Sequence, residues 1–221
     1  MYNEESSPTM ENCLFFGNSA DHYGAAMANA LDCNPRLTNC TLYANGPGSG
    51  IANFASEPNL VNCILWDNSR EQIEPAGSAL VTYSDIEGGW LGQGNIDLDP
   101  CFVDADGCDD TLGTPDDNLR LSVDSPCIDA GDSNSVPGPV DLDGSPRVIG
   151  PEPKRIDMGA YEYQTKIEVS ADRFDFTLQQ CYPAGASLIV GNTRRGTTMD
   201  WQIVPDCNWV RIEPNSGSLT V

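Results

Sequence analysis

An aspartate-rich stretch carries the clearest metal-binding chemistry in this sequence. Four carboxylates stand within seven residues, at Asp104, Asp106, Asp109 and Asp110. Hard oxygen ligands suit Ca²⁺, so the spacing predicts a structural calcium ion held by this loop. The EF-hand pattern is incomplete, because Gly107 comes too early and no matching Glu follows. The alternative is that these side chains form turns by accepting hydrogen bonds from nearby backbone N–H groups.

Residues that catalyse polysaccharide cleavage are sparse in the first half of the chain. Arg36 and Arg70 are the basic residues of its repeated section, and no carboxylate cluster accompanies either one. His22 is the one histidine of the chain, and we interpret it as a loop residue. An inverting glycosidase needs two carboxylates about 6.5–9.5 Å apart, and Asp67 and Asp85 are the pair that such a site would use. We assign no catalytic residue.

Nine cysteines offer thiol, metal or disulfide chemistry. The chain has no C-x-x-C pair and only one histidine, which argues against a zinc site. Cys13, Cys40 and Cys63 occupy one position of a repeat. We interpret them as a buried ladder of free thiols, because unpaired Cys packs well in protein cores.

The remaining cysteines favour disulfides formed in an oxidising compartment. Sequence alone does not fix their connectivity. The candidates are Cys181 with Cys207, and Cys101 with either Cys108 or Cys127.

A twelve-residue repeat must position these groups. Its copies begin at Ser7, Asn34 and Glu57, which are 27 and then 23 residues apart. Such a period is typical of a solenoid, whose units cannot bury an apolar face alone and must stack. Alternating apolar residues broken by Asn predict short strands separated by bends. The sequence therefore predicts an all-β parallel β-helix, right-handed like other parallel crossovers.

Each repeat contains an Asn-Cys pair at the same position. Asn tolerates the left-handed backbone of a sharp bend. Equal positions of neighbouring coils lie about 4.8 Å apart, so these pairs should form ladders with the Asn amides bonded up and down the stack. The predicted ladder residues are Asn12, Asn39 and Asn62, followed by Cys13, Cys40 and Cys63.

One aromatic side chain follows the last inward-facing residue of each repeat. Phe16, Tyr43 and Trp66 should stack along one side of the β-helix, about one coil spacing apart. With Asp67 nearby, this file predicts a surface that holds a glycan by ring stacking and hydrogen bonds. The alternative is that the rings shield the flank of the solenoid or pack on the loop 25–31.

The N-C-x-[aliphatic]-x-x-N repeats resemble the right-handed parallel β-helix proteins of the pectin-lyase-like superfamily. The stretch 80–96 is similar to a further, degenerate coil. The resemblance implies the fold and assigns no particular enzyme activity.

The series from Asp97 to Glu162 resembles the C-terminal region of secreted β-helix proteins called choice-of-anchor Q proteins. It includes Asp-Leu-Asp-Pro-Cys-Phe-Val-Asp, Ser-Pro-Cys-Ile-Asp-Ala-Gly and Asp-Met-Gly-Ala-Tyr-Glu. The resemblance implies an irregular cap that closes the open end of the solenoid. Within it, we expect Arg120 and Arg147 to pair with Asp129 or Asp157 as clamps. The apolar plug would comprise Phe102, Val103, Leu119, Leu121, Ile128 and Tyr161.

Beyond Ile167 the pattern changes to short alternating strands. The sequence from Trp209 onward resembles the BACON domain, an immunoglobulin-like β-sandwich of exported proteins. Such a sandwich needs about 100 residues, and 55 residues remain from Ile167. We therefore expect an incomplete module, in which Trp201 and Trp209 are core residues rather than a sugar platform. The predicted domains are 1–96 for the coils, 97–164 for the cap and 165–221 for the sandwich.

The excess of acidic residues limits which classes of molecule the protein can bind. Lys plus Arg is 11 and Asp plus Glu is 33, giving a net charge of −22, which argues against nucleic acid and anionic membranes. The chain contains no apolar run of membrane-spanning length and opens without a signal peptide. We expect a piece of a longer exported protein, whose signal and anchor lie outside this segment.

These observations predict a non-catalytic extracellular or cell-surface protein with a structural or adhesive role. Its expected partners are polysaccharide or cell-surface glycan, with self-association as a second type of contact and calcium as a structural ion. The alternative is a fragment of a polysaccharide lyase or glycoside hydrolase whose active site lies on coils outside this segment.

Overall fold

A computed structural model describes the chain in two compact units, Met1–Tyr163 and Gln164–Val221. The described residues are 1–75, 78–135, 138–148 and 155–164, with four short strands beyond residue 166. Their regular elements are strands, and the described residues contain no helix long and apolar enough to cross a membrane. The first unit is a parallel β-solenoid of four coils, as the repeats predict.

Three parallel sheets run along the solenoid, and each coil contributes one strand to each sheet. Sheet 1 contains β1 (Tyr2–Glu4), β4 (Met27–Ala30), β7 (Ile51–Phe54) and β10 (Ile73–Glu74). Sheet 2 contains β2 (Thr9–Glu11), β5 (Arg36–Thr38), β8 (Asn59–Val61) and β11 (Leu80–Thr82). Sheet 3 contains β3 (Leu14–Phe16), β6 (Thr41–Tyr43), β9 (Ile64–Trp66) and β12 (Asp85–Ile86).

The register of sheets 2 and 3 follows the sequence repeat. Equal positions pair directly, so the aliphatic residues of each copy form continuous columns that fill the interior. Each coil thus buries its apolar face only against its neighbours, which is the physical reason for stacking. The columns are Met10, Leu37, Leu60 and Val81 in sheet 2, and Phe15, Leu42, Leu65 and Ile86 in sheet 3.

Sheet 1 includes β4, which falls within the loop expected at 25–31. Its first three strands are short and contain Ala or Asn, so they lack the β-branched alternation that marks a strand. They bury Met27 and Ile51 in the interior and carry an amide ladder beside them. Asn3 donates to Asn29 over 2.8 Å, Asn29 donates to Asn53 over 2.9 Å, and Asn53 donates to the Ser78 hydroxyl over 2.9 Å.

A second amide ladder runs along the bend after sheet 3. Asn18 Nδ2 donates to Asn45 Oδ1 over 2.8 Å, and Asn45 Nδ2 donates to Asn68 Oδ1 over 2.9 Å. The Asn68 amide continues to Gln72. Such ladders saturate amides that the coils bury, because each side chain finds its partner one coil away.

The end of the solenoid is closed by the turn that follows coil 4. Trp90 packs against the interior apolar cluster, and Asn95 donates to the carbonyl oxygens of Val81 and Trp90 over 3.0 and 3.2 Å. The sequence predicted a degenerate coil at 80–96 and a closing cap only from Asp97 onward.

The described residues between Asp97 and Tyr163, called the flank segment below, lie along the side of the solenoid instead of across its end. They include the antiparallel hairpin of β13 (Phe102–Asp104) with β14 (Asn118–Leu121). The flank segment contacts all four coils through hydrogen bonds from Cys127 to Asp85, from Asp132 to Asn62, from Asn39 to Asp157 and from Asn12 to Val140.

The second unit is described by two antiparallel strand pairs. β15 (Ile167–Val169) pairs with β16 (Val190–Asn192), and β17 (Thr198–Gln202) pairs with β18 (Ser216–Thr220). Trp201 lies opposite Gly217 in this register. Trp209, Cys181 and Cys207 lie outside the described residues.

Candidate functional site

The predicted aromatic file lies in register on sheet 3. Phe16 pairs with Tyr43, and Tyr43 pairs with Trp66. All three side chains are half-buried. The Tyr43 ring makes an edge contact with Phe102 of the flank segment at 5.2 Å between centroids. Burial, followed by nearby carboxylates including Asp67, raises the pKa of Tyr43 to about 12. Part of the face proposed for glycan stacking is therefore occupied by the protein itself.

A second apolar cluster explains this coverage. Ile64 points outward from β9, and buried Leu121, Cys127 and Met158 pack on it. Trp66 and Phe102 are at its edge. Outward apolar positions on sheet 3 thus bury their surface under the flank segment, at about 25 cal/mol per Å².

The six residues expected to plug the solenoid end divide in the structure. Leu119 and Leu121 are buried, and Phe102 and Ile128 are half-buried against the second cluster. Val103 is exposed, and Tyr161 is half-buried with its ring 4.7 Å from the Arg120 guanidinium. They cover the flank because β9 presents the outward apolar side chains of Ile64 and Trp66 there.

The Asn-Cys bends adopt the left-handed backbone that the sequence predicts, with φ of 51° at Asn12 and Asn39 and 56° at Asn62. Their amides are used differently from the expectation. Asn62 donates to Asn39 over 3.3 Å, whereas the other described contacts of these amides are with the flank segment. Asn39 donates to the carbonyl of Asp157 over 2.9 Å, and Asn62 accepts from Asp132 N over 2.7 Å. The side chains of Asn12, Asn39 and Asn62 therefore bind mainly the flank segment and form few hydrogen bonds between coils.

A buried charged cluster joins the flank segment to coil 1. The Arg147 side chain is fully buried and forms an ion pair of 3.3 Å with Glu162. Burial, followed by the charge of Asp157, raises the pKa of Glu162, and the Arg147 guanidinium opposes this shift. Asp141 accepts hydrogen bonds from Ser145 N and Glu162 N, each over 2.8 Å.

The arginine pairings expected from the sequence are wrong. Arg120 binds both oxygens of Asp143 over 2.6 Å, and Arg147 pairs with Glu162. Asp129 instead lies 3.7 Å from Arg155. Spacing along the chain gave no information on these choices, because the irregular segment folds back on itself.

Asp85 is fully buried where coil 4 meets the flank segment. Its carboxylate accepts hydrogen bonds from Leu98 N over 3.2 Å and from the Cys127 thiol over 3.2 Å. Desolvation raises its pKa to about 6. Asp85 pairs in register with Ile64, three residues before the exposed Asp67. Asp85 therefore acts as an acceptor inside the structure and does not face solvent with Asp67.

Replacing Asp85 by Asn should change the pH dependence of stability. The folded-state pKa is raised, so the neutral carboxyl favours the fold below pH 4, and this contribution is lost as pH rises through about 6. Asn stays neutral and can still accept from Leu98. We expect Asp85→Asn to be more stable than the wild type at pH 7.5 by about 1–2 kcal/mol and equal to it near pH 4. Urea unfolding at both pH values measures this difference, and an unchanged difference between the two proteins would contradict it.

The acidic loop is organised by turn formation. Asp109 Oδ1 accepts from Thr111 N over 3.0 Å, and Asp116 Oδ2 accepts from Cys108 N over 2.8 Å. Among the described residues, no three His, Cys, Asp or Glu side chains are grouped to hold a metal ion. Of the four predicted calcium ligands, Asp104, Asp106, Asp109 and Asp110, this geometry fits the turn alternative for Asp109.

A thermal measurement distinguishes the calcium site predicted from the sequence from the turn alternative. Because the loop carboxylates accept local backbone N–H groups, we expect the melting temperature to be the same in millimolar CaCl₂ and in EDTA. Differential scanning calorimetry compares the two conditions. A higher melting temperature in calcium that Asp109→Asn abolishes would instead establish the metal site.

The described cysteines are free thiols, so the disulfide expected between Cys101 and either Cys108 or Cys127 is wrong. Cys127 is buried beside Asp85, whereas Cys108 is exposed on the acidic loop. Burial raises the pKa of the Cys127 thiol well above its usual value. Cys13, Cys40 and Cys63 are likewise unpaired.

Thiol labelling checks this assignment. Cys108 should react with iodoacetamide in the native protein, because its thiol is exposed. Cys40, Cys63 and Cys127 should react only after denaturation, since they are buried. Peptide mass mapping reads out each position, and a disulfide-linked peptide containing Cys101 or Cys127 from unreduced protein would contradict the prediction.

Sequence reasoning missed an exposed aromatic surface on sheet 1. Tyr2, Tyr23 and Phe54 are 64%, 55% and 43% exposed. Tyr2 and Phe54 lie on the outer face of sheet 1, where register pairs them with Ala28 and Ala30. The Tyr23 ring makes an edge contact with Phe54 at 5.1 Å. The sequence feature that could have indicated this surface is the longer first repeat, because its extra residues include Tyr23.

A polar cleft of about 490 Å³ lies at the corner after sheet 1. Asp32, Asn34, Glu57 and Pro75 contribute to its lining. Asp32 and Glu57 are exposed, and no hydrogen bond or ion pair engages their carboxylates within the described part of the chain. The cleft can therefore accept hydrogen bonds from a ligand.

Comparison with known proteins gave no assignment: no family model, curated protein or solved structure matched this chain.

Proposed function

We propose that this chain is a non-catalytic scaffold module of an extracellular surface protein and that it binds a glycan. The observation that carries the proposal is the combination of a rigid four-coil solenoid with exposed aromatic rings on one side. Aromatic rings outside a core offer flat apolar faces with low conformational freedom, which suit the apolar faces of sugar rings.

Rigidity supports the same role. Interior ladders hold the coils in one register, and the flank segment covers sheet 3 along all four coils. Neighbouring coils are also hydrogen-bonded along each of the three parallel sheets, which fixes the spacing of positions on the outer faces. The solenoid can present repeated surface positions to an extended polymer at about 4.8 Å intervals.

The resemblances refine this proposal. We propose that the coils are right-handed, as in pectin-lyase-like proteins, and that the flank segment is of the choice-of-anchor Q type. The second unit would then be an immunoglobulin-like module related to BACON domains. The net charge of −22 supports an exported role away from nucleic acid and anionic membranes.

A glycan array on the full chain tests the proposal. We expect binding to at least one class of polysaccharide fragment, with no release of shorter products on prolonged incubation. Absence of binding to every array member would remove glycan recognition. Release of oligosaccharides or of unsaturated uronate would show an enzyme instead.

A further inference from the structure

The two insertions that lengthen the first repeat fall on one side of the solenoid. Eight residues lie between Asn18 and Met27, whereas five lie between the equivalent Asn45 and Ile51. The extra residues form the loop that carries Tyr23. Insertions in a repeat protein map to one face, which is often the binding face.

The second insertion shapes the corner cleft. Four residues lie between Ala30 and Pro35, whereas three lie between Phe54, the register partner of Ala30, and Pro58. The extra residue is accommodated at Leu31 and Asp32, both with φ of 58°. A left-handed backbone at two consecutive non-glycine residues costs free energy. Surrounding contacts must therefore hold Leu31 and Asp32 in this conformation. It places Asp32 at the cleft.

We propose that the outer face of sheet 1 and the corner cleft together bind an uncharged glycan, an inference that rests on the proposed function. Tyr23 and Phe54 would stack on sugar rings, while Asp32 and Glu57 would accept hydroxyl hydrogen bonds. Phe54 ends β7 and directly precedes Ala55, which lines the cleft. The apolar and polar parts are thus continuous along the chain.

Charge selects the ligand class. The described lining of the cleft contains two carboxylates and neither Lys nor Arg. Glu4 and Glu74 flank the sheet 1 face in coils 1 and 4. Uronic acids and sulfated sugars would be repelled, since like charges at close range are unfavourable. Neutral hydroxyls donate well to carboxylates, and charge-assisted bonds of this type are the stronger ones.

The sheet 1 face suits this role better than the predicted file on sheet 3. Tyr23 and Phe54 are exposed on strands and loops that no described segment covers. Tyr43 and Trp66 are half-buried in contacts with the flank segment. Removing the Tyr43 or Trp66 ring would mainly reduce the stability of the fold, because these rings already pack within the protein.

The experiment is isothermal titration of the full chain with cellohexaose, mannohexaose and xylohexaose, and with hexagalacturonate as the anionic probe. We expect binding of at least one neutral hexasaccharide, with little change between low and high salt. Tyr23→Ala combined with Phe54→Ala should weaken it about tenfold or more. Asp32→Asn combined with Glu57→Gln should weaken it about fivefold. Leu91→Ala, at a side chain 98% exposed elsewhere, is the control.

Trp66→Leu separates this inference from the proposed function. It removes the ring of the sheet 3 file while retaining apolar packing, and melting curves confirm that each variant is folded. Loss of neutral-glycan binding in Trp66→Leu, with full binding by the Tyr23/Phe54 variant, would overturn the sheet 1 assignment and leave glycan binding intact. Binding of hexagalacturonate alone would overturn the choice of an uncharged ligand. No binding of any hexasaccharide or array glycan would overturn both proposals.

Discussion

Replacing Arg147 by Met should destabilise the first unit by about 3–5 kcal/mol, because it leaves buried carboxylates without their cation. The guanidinium donates to Gly159 O over 3.2 Å, to Ala160 O over 2.8 Å and to Asn12 Oδ1 over 2.6 Å, besides its ion pair with Glu162. One side chain thus joins the flank segment to coil 1. Met fills similar space and supplies none of these donors.

Arg120→Met is the matched control. Arg120 also forms an ion pair, but its side chain is 48% exposed, so its loss should cost about 1 kcal/mol or less. Chemical denaturation of the full chain measures both variants. Hydrogen exchange of peptides from 155–164 should show the local release of the flank segment in Arg147→Met. Equal stability losses in the two variants would refute the idea that burial of Arg147 holds this segment.

Replacing Asn45 by Ala should cost about 3–5 kcal/mol, since several buried groups lose partners at about 1–3 kcal/mol each. Asn45 is fully buried. Its Nδ2 donates to the carbonyls of Phe15 and Tyr43 over 2.9 and 3.1 Å and to Asn68, while its Oδ1 accepts from Asn18. The side chain therefore bonds to three consecutive coils.

Asn18→Ala provides the comparison, because Asn18 is the exposed first member of the same ladder. Its loss removes one side-chain bond and should cost about 1 kcal/mol. Urea midpoints and hydrogen exchange across 41–45 and 64–68 report the effect. A loss below about 1 kcal/mol in Asn45→Ala would mean that water replaces the ladder bonds of this side chain.

The stacking of coils could be predicted because its causes are local. The alternation around Met10, Leu37 and Leu60 marks short strands, and the constant spacing of Asn and Cys aligns them. Once equal positions lie one above another, the file Phe16, Tyr43 and Trp66 follows by geometry. The left-handed bends at Asn12, Asn39 and Asn62 follow from the conformational preference of Asn.

Sheet 1 could not be predicted in this way. Its strands contain Ala and Asn at the positions that decide their faces, and neither residue favours a strand by itself. The ladder from Asn3 through Asn29 to Asn53 exists only because neighbouring coils bring the amides together. The exposed face with Tyr23 and Phe54 was missed for the same reason, because residues cannot be assigned to one face of a sheet before that sheet is identified.

The sequence by itself determined the period, the bends and the interior columns of this solenoid. Only the tertiary structure decided that the flank segment covers sheet 3, that Trp90 closes the end and that Arg147 pairs with Glu162. The bond between Asn12 and the Val140 carbonyl spans 128 residues of sequence. Every residue carries a backbone carbonyl, so the residue type at position 140 does not predict this hydrogen bond. The tertiary structure determines which carbonyl the Asn12 amide contacts.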